Sequence, residues 1–124
     1  MSATPATYPA SIRRAAAVFA ALLAVIVGYF SLVPPGEAPA PQISDKIRHF
    51  AAYATLAVPV AVWFGPGRLF AAMAVTVLYG AGLEGAQALA GTGREGSLAD
   101  AAANALGAVT GVLGVWTGAR LLRG

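Results

Sequence analysis

The sequence predicts an all-α integral membrane protein, a bundle of four transmembrane helices. Three observations carry that prediction. Of the 124 positions, 58% are hydrophobic and only 10% are charged, whereas a soluble domain has about 25% charged residues. Four apolar stretches approach the length of about 20 residues that crosses the hydrocarbon core as a helix. No alternating strand pattern is present. Without a closed barrel, only helices satisfy their own backbone groups inside lipid.

The elements follow in order. Residues 1–14 form an N-terminal tail that closes on Arg13 and Arg14. The uncharged run that follows predicts a first helix at about 15–34. This run, the two arginines and the "APA" at 38–40 also resemble a cleaved signal peptide. The run exceeds the usual signal core of about 7–15 residues, which favours a retained helix. "PPGEAPAPQ" (34–42) is an extended, proline-rich connection. A second helix is expected at 44–65, opened by Ser44 and Asp45, with a kink at Pro59. "GPG" (65–67) is a tight turn into a third helix at 68–91, whose only charge after Arg68 is Glu84. "AGTGREG" (90–96) is a glycine-rich loop. Ser97 and Asp100 then read as an S-x-x-D capping box for a fourth helix at 97–119. Residues 120–124 complete the chain as a C-terminal tail.

Charge sets the expected orientation and excludes some functions. With the N-terminus inside, the cytoplasmic ends hold five cations (Arg13, Arg14, Arg68, Arg120, Arg123) and the outer ends three (Lys46, Arg48, Arg94). Short loops rich in Lys and Arg stay inside, so both termini are expected in the cytoplasm. The net charge of +3 is spread over segment ends rather than along one face, which excludes a nucleic-acid surface. With no cysteine, disulfides and thiolate metal sites are absent. A lone histidine is a weak metal signal, so neither a metal nor a cofactor is assigned.

The polar residues fall into register. At about 1.5 Å per residue, His49 lies roughly 7 Å below the outer boundary, and Glu84 and Asn104 roughly 10 Å below it. Asp45, Lys46, Gln87, Arg94 and Asp100 lie just above. Asp45, His49 and Tyr53 are four apart; Glu84 and Gln87 share one face with Gly80; Asp100 and Asn104 share one with Gly107 and Gly111. An ionised side chain at mid-helix costs about 2.5–3.5 kcal/mol in lipid, so these faces are expected to turn toward one another. Two G-x-x-x-G pairs, Gly107/Gly111 and Gly114/Gly118, allow close helix approach. Structural roles compete for several residues. Lys46, Arg48 and Arg94 suit snorkelling to headgroups, and Trp63 and Trp116 suit an aromatic belt at the inner boundary. Glu84 has no cap to make and no such alternative.

Taken as a set, D-K-x-x-H (Asp45, Lys46, His49), Tyr53, E-x-x-Q (Glu84, Gln87) and R-x(5)-D-x(3)-N-x-x-G (Arg94, Asp100, Asn104, Gly107) resemble the VanZ-like family. The match spans roughly 44–112. The resemblance implies a small membrane-helix bundle, a bacterial envelope context and a link, through the founding member, to resistance against teicoplanin. It implies shared polar positions at Asp45, Lys46, His49, Glu84, Gln87, Arg94, Asp100 and Asn104. "ALAGTG" departs from the family's bulky residue and proline before the arginine, and the chain reads as a minimal, alanine-rich version.

Three functions fit this reading. The first is a pocket for an anionic headgroup, a lipid-linked cell-wall precursor or a lipoglycopeptide, lined by Asp45, Lys46, His49, Tyr53, Glu84, Gln87, Arg94, Asp100 and Asn104. The partners are then membrane lipids or lipid-linked envelope molecules, with homo-oligomerisation left open. The second is an enzyme acting on a headgroup, with His49, Glu84 and Asp100 as candidate catalytic residues. No G-x-S-x-G or H-E-x-x-H motif supports it. The third is a structural subunit in which the same residues only hold helices together.

Overall fold

The structure, a computed structural model, describes residues 8–32, 44–90 and 98–123. Four helices account for nearly all of them: α1 (Ala10–Leu32), α2 (Asp45–Phe64), α3 (Leu69–Ala90) and α4 (Leu98–Arg123), with a 3-10 turn at Pro66–Arg68. All four are long and apolar enough to span a bilayer, and the described residues contain no strand. The all-α membrane bundle expected from composition is the observed fold. Arg13 and Arg14 lie inside α1 and Arg120 lies inside α4, so helix begins earlier and ends later than the uncharged runs. Lys and Arg extend a helix without loss of propensity, and their heads reach the interface from its last turns.

The burial pattern is inverted relative to a water-soluble bundle. Large apolar side chains face outward, among them Phe19, Leu22, Val25, Phe70, Leu78 and Leu113. Much of the interior is small or polar: Ala57, Ala61, Ala72 and Ala108 are buried beside Thr76, Gln87 and Asn104, with Leu56, Val60 and Val112 among the larger apolar side chains. Lipid solvates leucine as well as a protein core does, so helices associate through close packing of small residues and internal hydrogen bonds. The hydroxyls of Thr55 and Thr110, on the outer surface, bond back to the carbonyls of Ala51 and Leu106 at 2.8 Å. That satisfies them without a partner from solvent.

Helix α2 is central, touching α1, α3 and α4, and it packs most extensively on α4. Glycine explains the closeness. A Cβ placed on Gly107 would overlap the Phe50 carbonyl, and one on Gly111 would overlap the Ala54 carbonyl. The second G-x-x-x-G pair is not used in this way: Gly114 and Gly118 have nothing within 4 Å of a Cβ position. Helix α2 runs on through the buried Pro59 to Phe64 and stops at Gly65, whose φ of 94° lies in the region glycine favours. Helix α3 then returns antiparallel.

The two ends of the bundle differ in chemistry. One end gathers Asp45, Lys46, Arg48, His49, Glu84, Gln87, Asp100 and Asn104. The opposite end holds Trp63, Arg68, Trp116 and Arg120. There Arg13 Nε donates to the Trp63 carbonyl at 3.1 Å, and the Arg68 and Arg120 guanidinium groups lie over Phe64 and Trp116. This is the belt of aromatic and basic residues expected at a membrane boundary.

Candidate functional site

Helix periodicity places Asp45, His49 and Tyr53 on the inner face of α2, Glu84 and Gln87 on that of α3, and Asp100 and Asn104 on that of α4. These faces meet. His49, Tyr53, Glu84, Gln87, Asp100 and Asn104 are each at most 8% exposed. Side chains this polar and this buried stay in a membrane bundle only where they satisfy one another or a ligand.

His49 is the hub. Its Nδ1 lies 2.7 Å from Asn104 Oδ1, a hydrogen bond joining α2 to α4. Glu84 Oε1 of α3 lies 3.7 Å from the same nitrogen. The other ring nitrogen, Nε2, faces two carboxylates: Asp45 Oδ2 at 3.4 Å and Asp100 Oδ2 at 3.7 Å. With Asn104 Oδ1 as an acceptor, Nδ1 carries the hydrogen and Nε2 is the nitrogen left to bind a proton or a cation.

Two cations close the mouth. Lys46 Nζ donates to Asp100 Oδ1 at 2.6 Å, and Arg48 Nη2 donates to Asp45 Oδ1 at 2.9 Å. Arg48 is therefore an ion-pair partner one turn from Asp45 on its own helix. At the foot of the cluster, Tyr53 Oη and Asn104 Nδ2 are buried with no hydrogen-bond partner among the described residues. Both groups border Gly80: a Cβ there would stand 2.9 Å from Tyr53 Cε2 and 3.2 Å from Asn104 Nδ2.

Two expectations meet a different arrangement. Gln87 lies on the site's face of α3, yet its Nε2 donates to the Ser31 carbonyl of α1 at 2.5 Å. It ties α1 to the bundle. Ser44 caps α2 by position only, without a side-chain hydrogen bond. Arg94 and the Ser97 of the capping box lie outside the described residues. Asp100 faces the cluster.

The site is distinct from the apolar groove between α3 and α4, which is lined by Leu69, Phe70, Met73, Val112, Leu113 and Trp116 at the far end of the bundle. Chemically, the polar cluster can hold a proton, donate hydrogen bonds to an anion through Lys46 and Arg48, or surround a metal ion with Asp45, His49 and Asp100. Compared with known protein families, curated proteins and solved structures, the chain matches none.

Proposed function

We propose that the protein is a VanZ-like membrane protein of the bacterial envelope that binds the polar head of an anionic amphiphile at the charged end of its bundle. The amphiphile is a lipid, a lipid-linked cell-wall precursor or a lipoglycopeptide. In this reading that end faces outward from the inner membrane, with both termini inside. One observation supports it above the others: His49 stands within 3.7 Å of side chains from α3 and α4 as well as its own helix. Three transmembrane helices thus spend their buried polar residues on one spot near a bundle end, the depth at which an amphiphile presents its headgroup. Lys46, Arg48 and Arg94 supply positive charge, and Tyr53 and Asn104 supply neutral donors. The test is binding of fluorescent phosphatidylglycerol to the purified protein in phosphatidylcholine nanodiscs. Asn104→Leu and Arg94→Ala are expected to weaken it at least tenfold; wild-type affinity in both variants overturns the reading.

A second reading is catalytic, favoured by the carboxylates around the imidazole. A histidine flanked by Asp45, Glu84 and Asp100 has the surroundings of a general acid or base. Headgroup turnover that disappears in His49→Ala, while the helical fold survives, selects this reading. A third reading, helix glue alone, predicts that every substitution in the cluster lowers stability and alters no binding.

A further inference from the structure

We propose that Asp45, His49 and Asp100 form a site for a borderline divalent cation of the Zn²⁺ type, with an open coordination position for an oxygen ligand. The inference goes beyond headgroup recognition and stands on geometry independent of it.

The first ground is spacing. Asp45, His49 and Asp100 each offer one donor atom, and these atoms lie within 4.8 Å of one another. Zinc binds nitrogen and carboxylate oxygen at about 2.0–2.2 Å, so two tetrahedral ligands of one ion stand roughly 3.3–3.6 Å apart. His49 Nε2 is 3.4 Å from Asp45 Oδ2 and 3.7 Å from Asp100 Oδ2. The carboxylate oxygens of Asp45 and Asp100 lie within 4.8 Å of each other, so an adjustment of about an ångström, in side chains alone, brings all three onto one ion.

The second ground is the partner of the other ring nitrogen. A histidine that ligates a metal through one nitrogen usually donates the hydrogen on the other to a fixed acceptor, which sets tautomer and ring orientation. His49 Nδ1 has that acceptor in Asn104 Oδ1 at 2.7 Å, with Glu84 Oε1 behind it at 3.7 Å. The lone pair of Nε2 then points between two carboxylate oxygens. Lys46 and Arg48 pair with the outer oxygens, Asp100 Oδ1 and Asp45 Oδ1. The inner oxygens, Asp45 Oδ2 and Asp100 Oδ2, face Nε2 and offer a cation its three donors.

The third ground lies outside the acidic cluster. Tyr53 Oη and Asn104 Nδ2 are buried donors without a partner among the described residues, and Asn104 is the residue that holds the imidazole. Both suit an oxygen-bearing ligand carried into the bundle. Three protein ligands with one open position is the arrangement of zinc sites that bind a further ligand. One nitrogen with two carboxylates favours Zn²⁺ or Mn²⁺ over Ca²⁺ and Mg²⁺, which prefer oxygen alone.

Lys46 makes the inference sharply testable. Its ammonium occupies Asp100 Oδ1 at 2.6 Å and competes with any cation for that carboxylate. The tag-free protein, stripped with EDTA in detergent, is titrated with Zn²⁺ by calorimetry. One ion per chain is expected, with Asp100→Asn and His49→Ala each binding at least tenfold more weakly. Lys46→Ala is expected to bind more tightly, and Thr55→Ala, on the outer surface, to match wild type. The chain has one histidine and no cysteine. Hyperfine-shifted imidazole protons in the Co²⁺-loaded wild type therefore report His49 directly, even where His49→Ala fails to fold. The inference is overturned by the absence of saturable Zn²⁺ binding, by Co²⁺ binding without shifted imidazole signals, or by weaker binding in Lys46→Ala. Phosphatidylglycerol binding without Zn²⁺ binding overturns the cation site alone and leaves the headgroup reading standing.

Discussion

Lys46 Nζ stands 2.6 Å from Asp100 Oδ1 and closes the charged end of α2 onto α4, joining residues 54 apart in the chain. The two partners are unequal: the Lys46 side chain is 51% exposed and that of Asp100 is 8% exposed. An ion pair with one arm in water adds little to stability. Lys46→Ala is therefore expected to leave the detergent melting temperature nearly unchanged. Asp100→Leu should depress it clearly, because it strips His49 and Lys46 of a partner together. Circular dichroism melts of the two variants side by side check this.

The two glycine pairs should behave oppositely. A side chain at Gly107 or Gly111 collides with the α2 backbone. Gly111→Ala is expected to cost about 1–3 kcal/mol, the usual range for overpacking. Gly114→Ala and Gly118→Ala meet open space and are expected to be neutral or slightly stabilising. Thermal melts of the four single variants separate the packed pair from the idle one.

Two polar contacts tie α3 to α1. Tyr79 Oη donates to the Ala24 carbonyl and Gln87 Nε2 donates to the Ser31 carbonyl. A hydrogen bond between membrane helices averages about 0.6 kcal/mol, so Gln87→Leu and Tyr79→Phe together should loosen α1 without unfolding the bundle. Ser31 is buried. Thiol labelling of Ser31→Cys is expected to be slow, and to quicken when Gln87→Leu and Tyr79→Phe are added. An unchanged rate would show that α1 is held by packing alone.

Orientation can be read without background labelling, because the chain has no cysteine. Ser44 and Gly67 are both exposed and lie at opposite ends of α2. In the proposed topology, an impermeant maleimide added to intact cells labels Ser44→Cys and spares Gly67→Cys. The reverse pattern would place the charged end in the cytoplasm.

Removing metal should weaken headgroup binding if a cation bridges the carboxylates and the ligand. Treatment with EDTA is expected to lower the affinity for phosphatidylglycerol nanodiscs several-fold in the wild type. In Asp100→Asn, whose cation site is already impaired, EDTA should have no further effect.

Much of this arrangement was legible in the sequence. Four apolar runs gave four helices, because length and hydropathy are what the bilayer selects. The meeting of His49, Glu84, Asp100 and Asn104 followed from helical spacing and from the cost of facing lipid. The contacts of α1 with α3 did not, because α1 offers the Ala24 and Ser31 carbonyls there, and a backbone acceptor leaves no mark in composition. Which G-x-x-x-G pair works was equally hidden. Gly107 and Gly114 carry identical spacing, and only the path of α2 across α4 distinguishes them. The division of labour within the cluster, with Asn104 on one ring nitrogen and two aspartates at the other, rests on distances that spacing alone does not contain.

The close crossing of α2 and α4 also constrains how the chain is made. Of the four helices, α4 emerges from the ribosome after the other three, and it supplies Asn104 and Asp100 to His49. Until it arrives, the inserted part of the chain carries a histidine and a glutamate with no fourth wall to shield them from acyl chains. Assembly of the polar cluster therefore waits on α4, and a product cut short before it presents a polar flank that membrane quality control can recognise.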